Sequence, residues 1–347
     1  MTSYKNLHRF IVFCACCTFL LIIAGGLVTS TQSGLSVPDW PNTYGHFMFA
    51  FPLDQMVGGI FYEHLHRMIA STVGFLTIIV AVWLWKREDR KWVRMLGLIA
   101  LGTVVAQGLL GGLTVLFLLP TAISVSHATL AQTFFSVMVT LAIVTSSLWR
   151  DDGPIVEDHS ERIPIVSLSM MLTGAIYIQL ILGALMRHTN SGLAVPDFPL
   201  AYGQWFPSLS PDAIDRYNTQ LLRSDIRIAA DEAVTASQIL IHMIHRIWAL
   251  VVTGMVIWTS IRLFKLSSVN KRIPRFAYML LFLIAIQLTL GALTVLSLKA
   301  VDITTAHVAT GALLLATSLA LSLRLLKMFG FPKRQSNVSL SAGEVTA

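Results

Sequence analysis

Residues 25–45 read GGLVTSTQSGLSVPDWPNTYG, and residues 183–203 read GALMRHTNSGLAVPDFPLAYG. The shared frame is SGLxVPDxPxxYG: Ser33 matches Ser191 and Gly45 matches Gly203, an offset of 158 residues. Three further blocks follow in the same order. His66-Arg67 matches His245-Arg246 at an offset of 179, QGLLGGLTVL from Gln107 matches QLTLGALTVL from Gln287 at 180, and His127 matches His307 at 180. An insertion in the second long loop accounts for most of the change of offset. Chance agreement in apolar sequence mimics LGxLTVL alone, but not four ordered blocks that include Pro-Asp and His-Arg. The chain is therefore two copies of one unit.

What each unit contains follows from the composition. Of 347 residues 55% are hydrophobic and 12% charged, with a mean hydropathy of +0.70. A soluble domain carries roughly twice that charge fraction. Crossing a bilayer core of about 30 Å takes roughly 20 apolar residues as helix. Such segments are predicted at 9–29, 63–85, 92–117, 123–148, 164–187, 238–264, 274–298 and 303–327. In lipid they must be helices, because each backbone group needs a partner inside its own segment. Each copy holds an even number of spans, so the copies run parallel and are related by an axis along the membrane normal. The expected fold is an all-α membrane protein whose eight transmembrane helices form two pseudo-symmetric four-helix bundles. Residues 1–150 are one half, 151–162 a cytoplasmic linker, 163–330 the other half and 331–347 a disordered cytoplasmic tail.

The net charge of +7 reports topology rather than nucleic-acid binding, because the basic residues gather in alternate loops. Lys86, Arg87, Arg90, Lys91, Arg94, Arg150, Arg162, Arg262, Lys265, Lys271 and Arg272 belong to one set; the other set holds only Arg187, Arg216, Arg223, Arg227 and Lys299. The positive-inside rule then puts both termini in the cytoplasm and the long loops 30–62 and 188–237 outside. A bacterial plasma (inner) membrane is the expected location. The apolar N-terminal stretch is expected to be a retained span, since the repeat includes its end, and no transit presequence precedes it. Within the second loop, 211–236 reads as an amphipathic surface helix with Ile214, Tyr217, Leu221 and Ile228 as its stripe. Cys14, Cys16 and Cys17 crowd into the first span without zinc-site spacing and read as packing residues.

Chemistry is carried by histidine. His8 and His159 on the cytoplasmic side and His46 in an outer loop read as solvated, and His188, whose counterpart is Ser30, as structural. Four others keep the repeat: His66, His127, His245 and His307, each near the outer start of an even-numbered span. Ionisable residues inside a span are costly and default to a functional reading. A lone histidine could simply bond a neighbouring helix; two per repeat at matched depth argue against that. Two histidines from facing helices of a four-helix unit supply the two axial nitrogens of a haem iron. Zinc or copper sites gather three or four ligands, and a proton relay would want more carboxylates in the spans. Haem fits best, so all four histidines are candidate metal ligands. Arg67 and Arg246, one residue beyond the ligands, offer a fork suited to haem propionates, with interfacial snorkelling as the alternative.

The halves differ at one place. The first reads Glu63-His64-Leu65-His66-Arg67, the second His242-Met243-Ile244-His245-Arg246. Residues three apart share a helix face, so Glu63 falls on the face of His66. It is a candidate proton-transfer group or an orienting group for a ligand. The asymmetry suggests one reactive site and one electron-transfer or structural site.

These residues resemble the haem A synthase family over roughly 10–327, in its mitochondrial and proteobacterial-like branch. The likeness rests on ExxHR at Glu63–Arg67, the two SGLxVPDxPxxYG frames, LGxLTVL in spans three and seven, His245-Arg246, SHATLAQ and TAHVATG. It implies an enzyme that oxidises a ring methyl of haem O to a formyl group by successive hydroxylation and dehydration, giving haem A for cytochrome oxidase. By resemblance His245 and His307 hold a resident haem b, while His66 and His127 receive the haem O substrate with Glu63 needed for activity. It also implies haem O synthase, the cytochrome oxidase assembly machinery and an unidentified electron acceptor as partners, with a homo-oligomer possible. Another branch carries a cysteine pair in the first outer loop; residues 30–62 here contain none, so a mechanism using that pair does not apply. Two rival readings share the histidines: a di-haem b-type membrane electron carrier, and a haem transport or assembly factor.

Overall fold

The computed structural model describes residues 2–151, 163–226, 233–266 and 270–330. The expected linker 151–162, apart from its first residue, and the expected tail 331–347 lie outside these. Ten α-helices follow in order: α1 (Thr2–Ser30), α2 (Gly58–Arg87), α3 (Lys91–Leu116), α4 (Thr121–Val144), α5 (Ser147–Asp151), α6 (Ile163–His188), α7 (Pro211–Arg223), α8 (Ala236–Lys265), α9 (Ile273–Leu296) and α10 (Val301–Phe329). Eight are long and apolar enough to span a bilayer, α5 and α7 being the exceptions. Large apolar side chains such as Phe75, Leu109, Leu250 and Phe282 stay exposed on them. That is the expected pattern when the surrounding medium is lipid. The chain is a multi-pass membrane protein.

The packing makes two rings. In the first half α1 packs on α2, α2 on α3, α3 on α4 and α4 back on α1. In the second, α6, α8, α9 and α10 close in the same way. Helices α2 and α4 are thus diagonal across the first ring, and α8 and α10 across the second. The halves meet through α1 and α4 on one side and α6 and α10 on the other. A small apolar cluster of Ile22, Phe135 and Ala312 fills that seam, and Thr133 bonds Tyr177 across it at 2.5 Å.

Each half has its own core, and both cores sit toward one end. In the first half Leu7, Ile11, Val80, Leu84, Val93, Phe134, Met138 and Leu141 pack together. In the second, Ile165, Leu172, Val256, Leu263, Ile273, Leu280, Leu321 and Phe329 do. These residues lie in the parts of the helices nearest residues 88–90, 266 and 270–272, hereafter the basic end. At that end Glu88 accepts bonds from Arg90 (2.8 and 3.0 Å) and Arg150 (2.6 Å), and its carbonyl accepts from Arg94. Burial alone would raise the Glu88 pKa, but the bonds to Arg90 and Arg150 hold it down at about 2. The opposite, loop end carries the long connections 31–57 and 189–235, and there fully buried apolar residues in the ring interiors are few.

The helix bounds differ from expectation in instructive ways. Helix α2 begins at Gly58, five residues before the predicted start. Its first turn holds Gly58 and Gly59, which read as loop in isolation. In the fold Gly59 lets the helix start pass against Ser36, whose hydroxyl would clash with any Cβ there. Helix α4 stops at Val144 rather than 148. The surface helix stops at Arg223 and not 236: Asp225 takes a left-handed φ of 52° and Ile226 N–H closes back on Leu221 O at 3.0 Å. Tyr217 and Leu221 of its predicted stripe are buried, with Ile214 packed beside them; Ile228 lies outside the described residues. Cys14 joins the first-half core, as expected of a packing residue.

Candidate functional site

The four repeated histidines all lie toward the loop end. His66 and His245 are about 12–14 Å along the axis from the starts of α2 and α8, and His127 and His307 about 9 Å inside α4 and α10. Within each half the two imidazoles come from diagonal helices and face the same ring interior. His66 lies within electrostatic reach of His127, and His245 of His307. Each half therefore holds two of the four repeated histidines on diagonal helices of one ring.

Every one of these rings is backed by a glycine of an adjacent helix. A Cβ on Gly25 would stand 3.1 Å from His66 Cε1, on Gly111 3.2 Å from His127 Cε1, on Gly183 3.2 Å from His245 Cε1 and on Gly291 3.1 Å from His307 Cε1. Gly25 and Gly183 are repeat counterparts, as are Gly111 and Gly291. The missing side chain leaves room for the Cε1 edge of each imidazole against the neighbouring helix. Glutamine supplies the next contact. Gln107 Nε2 lies 3.3 Å from His127 Nε2 and donates to His127 O at 3.0 Å. Gln287 Nε2 lies 3.4 Å from His307 Nε2. Gln179 Nε2 lies 3.2 Å from His245 Nε2 and 3.1 Å from His245 O; its counterpart in the first half is Leu21, so His66 has no such amide.

The donor set fits a haem. Nδ1 of His66, His127 and His307 is sealed from solvent with no protein hydrogen bond, and so is Oε1 of Gln107, Gln179 and Gln287. Buried polar atoms are nearly always partnered, so a matched set of orphans in both ring interiors points to a bound group there. Among the described residues no cluster of three or more His, Cys, Asp or Glu side chains could hold a metal ion. Two facing imidazoles between apolar walls remain, which is the ligand count of a six-coordinate haem. Two shallow surface depressions, one along α2 at Ile78 and Val82 and one along α7 at Asp215 and Thr219, lie away from these histidines.

The repeated frame SGLxVPDxPxxYG proves to be a loop fold held by the arginine that follows each ligand. Arg67 donates to Asp39 O at 2.7 Å, Asn42 O at 3.1 Å and Val37 O at 2.7 Å. Arg246 donates to the counterparts, Asp197 O at 2.6 Å, Leu200 O at 2.9 Å and Val195 O at 3.2 Å. Inside each loop the aspartate accepts from two backbone amides. Asp39 takes Tyr44 and Gly45 at 2.8 and 2.9 Å, and Asp197 takes Tyr202 and Gly203 at the same distances. Burial would raise the Asp39 pKa, but the two amides and Arg67 hold it below the usual carboxylate range. The tyrosine hydroxyls close the frame on Ser36 O and Ala194 O. Arg67 and Arg246, expected to offer a fork to haem propionates or to snorkel, give most of their N–H groups to loop carbonyls, so each clamps a loop over the helix ring below.

Glu63 and His242, the one break in the pattern, are both loop anchors. Glu63 Oε1 accepts from Arg67 at 2.6 Å and Oε2 from Val37 N–H at 2.7 Å. His242 Nδ1 lies 2.9 Å from Ser191 O. Both residues are buried. Glu63 shares a helix with His66, but its oxygens face the loop and its clamp. The extra histidine of the first half, His64, bonds Thr43 Oγ1 at 3.1 Å and packs on Phe51. His46 is exposed, as expected, whereas His8 is half-buried against Thr145 Oγ1 at 3.3 Å. His159 lies outside the described residues. Gln107, Gly111, Gln287 and Gly291 lie in the repeated block QGLLGGLTVL/QLTLGALTVL, so their repetition is the signal in the sequence that marks them.

Comparison with known proteins agrees with this architecture. Residues 8–319 match the family described as cytochrome oxidase assembly protein, COX15-CtaA. The haem A synthase of Shouchella clausii is 33% identical over 218 residues, 61% of this chain and 69% of the relative. That of Novosphingobium aromaticivorans is 26% identical over 351 residues, covering 90% and 93%, and that of Shewanella oneidensis 24% over 314 residues, covering 86% and 91%. A match that runs through both rings and all four histidines places this chain in the COX15-CtaA family of cytochrome oxidase assembly proteins.

Proposed function

We propose that this chain is a haem A synthase, a membrane oxidoreductase that oxidises a ring methyl group of haem O to a formyl group. The observation that carries the reading is the pairing of His66 with His127 and of His245 with His307 across two like rings, each imidazole seated on a glycine. The first ring receives haem O as substrate, with His66 and His127 flanking it. The second holds a resident haem b through His245 and His307, which supplies electron transfer when bound. Glu63 is a positioning residue: it ties Arg67 and Val37 N–H together, and so holds the 36–45 loop over the substrate ring. The second ring keeps its loop with His242, anchored on Ser191 O. Arg67 and Arg246 act through the same loops, which exclude water from the ring interiors.

The basic end faces the cytoplasm of a bacterial inner membrane and the loop end faces outward, following the bias of lysine and arginine. A haem O synthase supplies the substrate, cytochrome oxidase assembly takes the product, and a separate acceptor removes electrons. Co-expression with a haem O synthase tests the reaction. Extracted haem should contain haem A or a hydroxylated intermediate. Persistent haem O alone, under aerobic conditions that support a known family member, overturns it.

The near-equivalence of the two rings favours a second reading, a di-haem electron carrier. Two reversible b-type haems exchanging electrons with quinol, with no haem conversion, would decide for it.

A further inference from the structure

The two rings are alike at the histidines, the glycines and the loop clamps, but not at the loop-end mouth beside them. In the second half this mouth carries two cations. Arg187 is one turn beyond Gly183 on α6, on nearly the same helix face, and within electrostatic reach of His307. Its guanidinium donates to Gly26 O at 2.7 Å and Ser30 Oγ at 2.9 Å on α1. Both acceptors are neutral. Lys299 sits in the turn between α9 and α10 with its stem against Gly192. Among the described residues its amine has no hydrogen bond or ion pair. Its stem meets the chain five residues beyond Arg187, and burial, and then the charge of Arg187, lowers its pKa, so the two cations share this mouth; among the described residues neither forms an ion pair with an acid.

The first half has the same backbone with neither charge. The counterpart of Lys299 is Leu119, in the same left-handed turn, with φ of 60° against 66°. A Cβ on Gly34 would meet Leu119 Cδ1 at 3.5 Å, as one on Gly192 would meet Lys299 Cδ at 3.4 Å. The counterpart of Arg187 is Thr29, whose hydroxyl bonds Gly25 O at 3.0 Å. Two half-buried like charges that share one mouth cost stability unless an anion joins them. A haem carries two propionate carboxylates, anions that an arginine fork and an ammonium suit.

We propose that Arg187 and Lys299 bind the propionate carboxylates of the haem held by His245 and His307, and that the lack of this pair in the first half leaves its haem free to exchange. The inference rests on the reading of His245 and His307 as ligands of a resident haem. It gives a physical reason for one ring to keep its haem while the other takes up substrate and releases product.

The test uses full-length protein purified in detergent from cells without a haem O synthase, so that haem b alone is present. Transfer of haem from the second ring to apomyoglobin is timed for wild type, Lys299→Leu, Lys299→Arg and Arg187→Gln. Lys299→Leu should release haem about tenfold faster, the size of one charge-assisted bond, and should lower the midpoint potential of that haem. Lys299→Arg should behave as wild type. Reconstitution with protohaem dimethyl ester, which has no propionate charge, should abolish the difference between wild type and Lys299→Leu. Release at the wild-type rate from Lys299→Leu overturns the proposal, as does an equal effect of that variant on the ester. So does an effect of Lys299→Leu that appears only with anionic phospholipid present, which would mark a headgroup site. If Arg187→Gln fails to fold, Lys299→Leu still decides, because Leu119 shows that this turn accepts leucine. If His245→Ala and His307→Ala each retain a full complement of haem b, the ligand reading fails instead.

Discussion

Gly183 of α6 backs onto the imidazole of His245, with 3.2 Å between the place a Cβ would take and Cε1. The same contact recurs at Gly25 and His66, Gly111 and His127, and Gly291 and His307. Gly183→Ala forces the ring to shift by a few tenths of an ångström, and Gly183→Val displaces it further at a cost of about 1–3 kcal/mol. The alanine variant should keep haem b but change its low-spin EPR signal. The valine variant should lose most of the haem on purification. Wild-type spectra and haem content in the valine variant would refute the seating of the ring on this glycine.

Glu63→Gln separates positioning from proton transfer. If Glu63 holds the loop, the variant retains haem, loses conversion at least about tenfold, and shows faster amide exchange over 36–45, because one of its two charge-assisted bonds is gone. If Glu63 instead delivers a proton, conversion falls with amide exchange unchanged. Hydrogen-exchange mass spectrometry on the same sample reads both outcomes.

Arg246→Lys keeps the charge but not the fork that reaches three carbonyls at once. The 194–203 loop should lose about 1–3 kcal/mol of local stability, seen as faster exchange there with the 36–45 loop unaffected. Arg67→Lys should give the converse pattern. Equal protection of both loops in both variants would show that the clamps are redundant.

Glu88 sets an acid limit at the basic end. Its pKa in the fold is about 2, against 4.5 for the free side chain. A depressed carboxylate contributes stability that is complete above the free value and lost as pH falls toward the folded one. Thermal unfolding of detergent-solubilised protein should therefore weaken between about pH 4.5 and pH 2. Glu88→Gln should be less stable at neutral pH and show a shallower decline over that window. Parallel curves for the two proteins would assign the acid sensitivity elsewhere.

Some features were legible because they are local or periodic. Span number follows from apolar length, and the duplication from Pro-Asp and His-Arg blocks that apolar drift does not produce. The four histidines followed from depth and repetition. The roles of Arg67, Arg246 and Glu63 were only partly legible. Spacing along a helix tells which face a side chain shares, but not which loop folds down on it. Glu63 shares a helix with His66 yet turns its carboxylate to Val37 N–H and Arg67. The four glycines were hidden for a different reason: an absent side chain matters only for what lies opposite, and α1 meets α2 only in the folded ring.

The sequence by itself determined the eight spans, the two-fold repeat and the residues able to bind iron, because lipid permits few backbone solutions and charges in it stand out. Only the tertiary structure decided which histidines share a ring interior, what the arginines hold, and which mouth carries an unneutralised pair of cations. Those depend on helices far apart in the chain meeting side by side. His245 rests on Gly183 through the ring closure of α6 and α8, and Lys299 reaches the mouth beside Arg187 because its stem lies against Gly192.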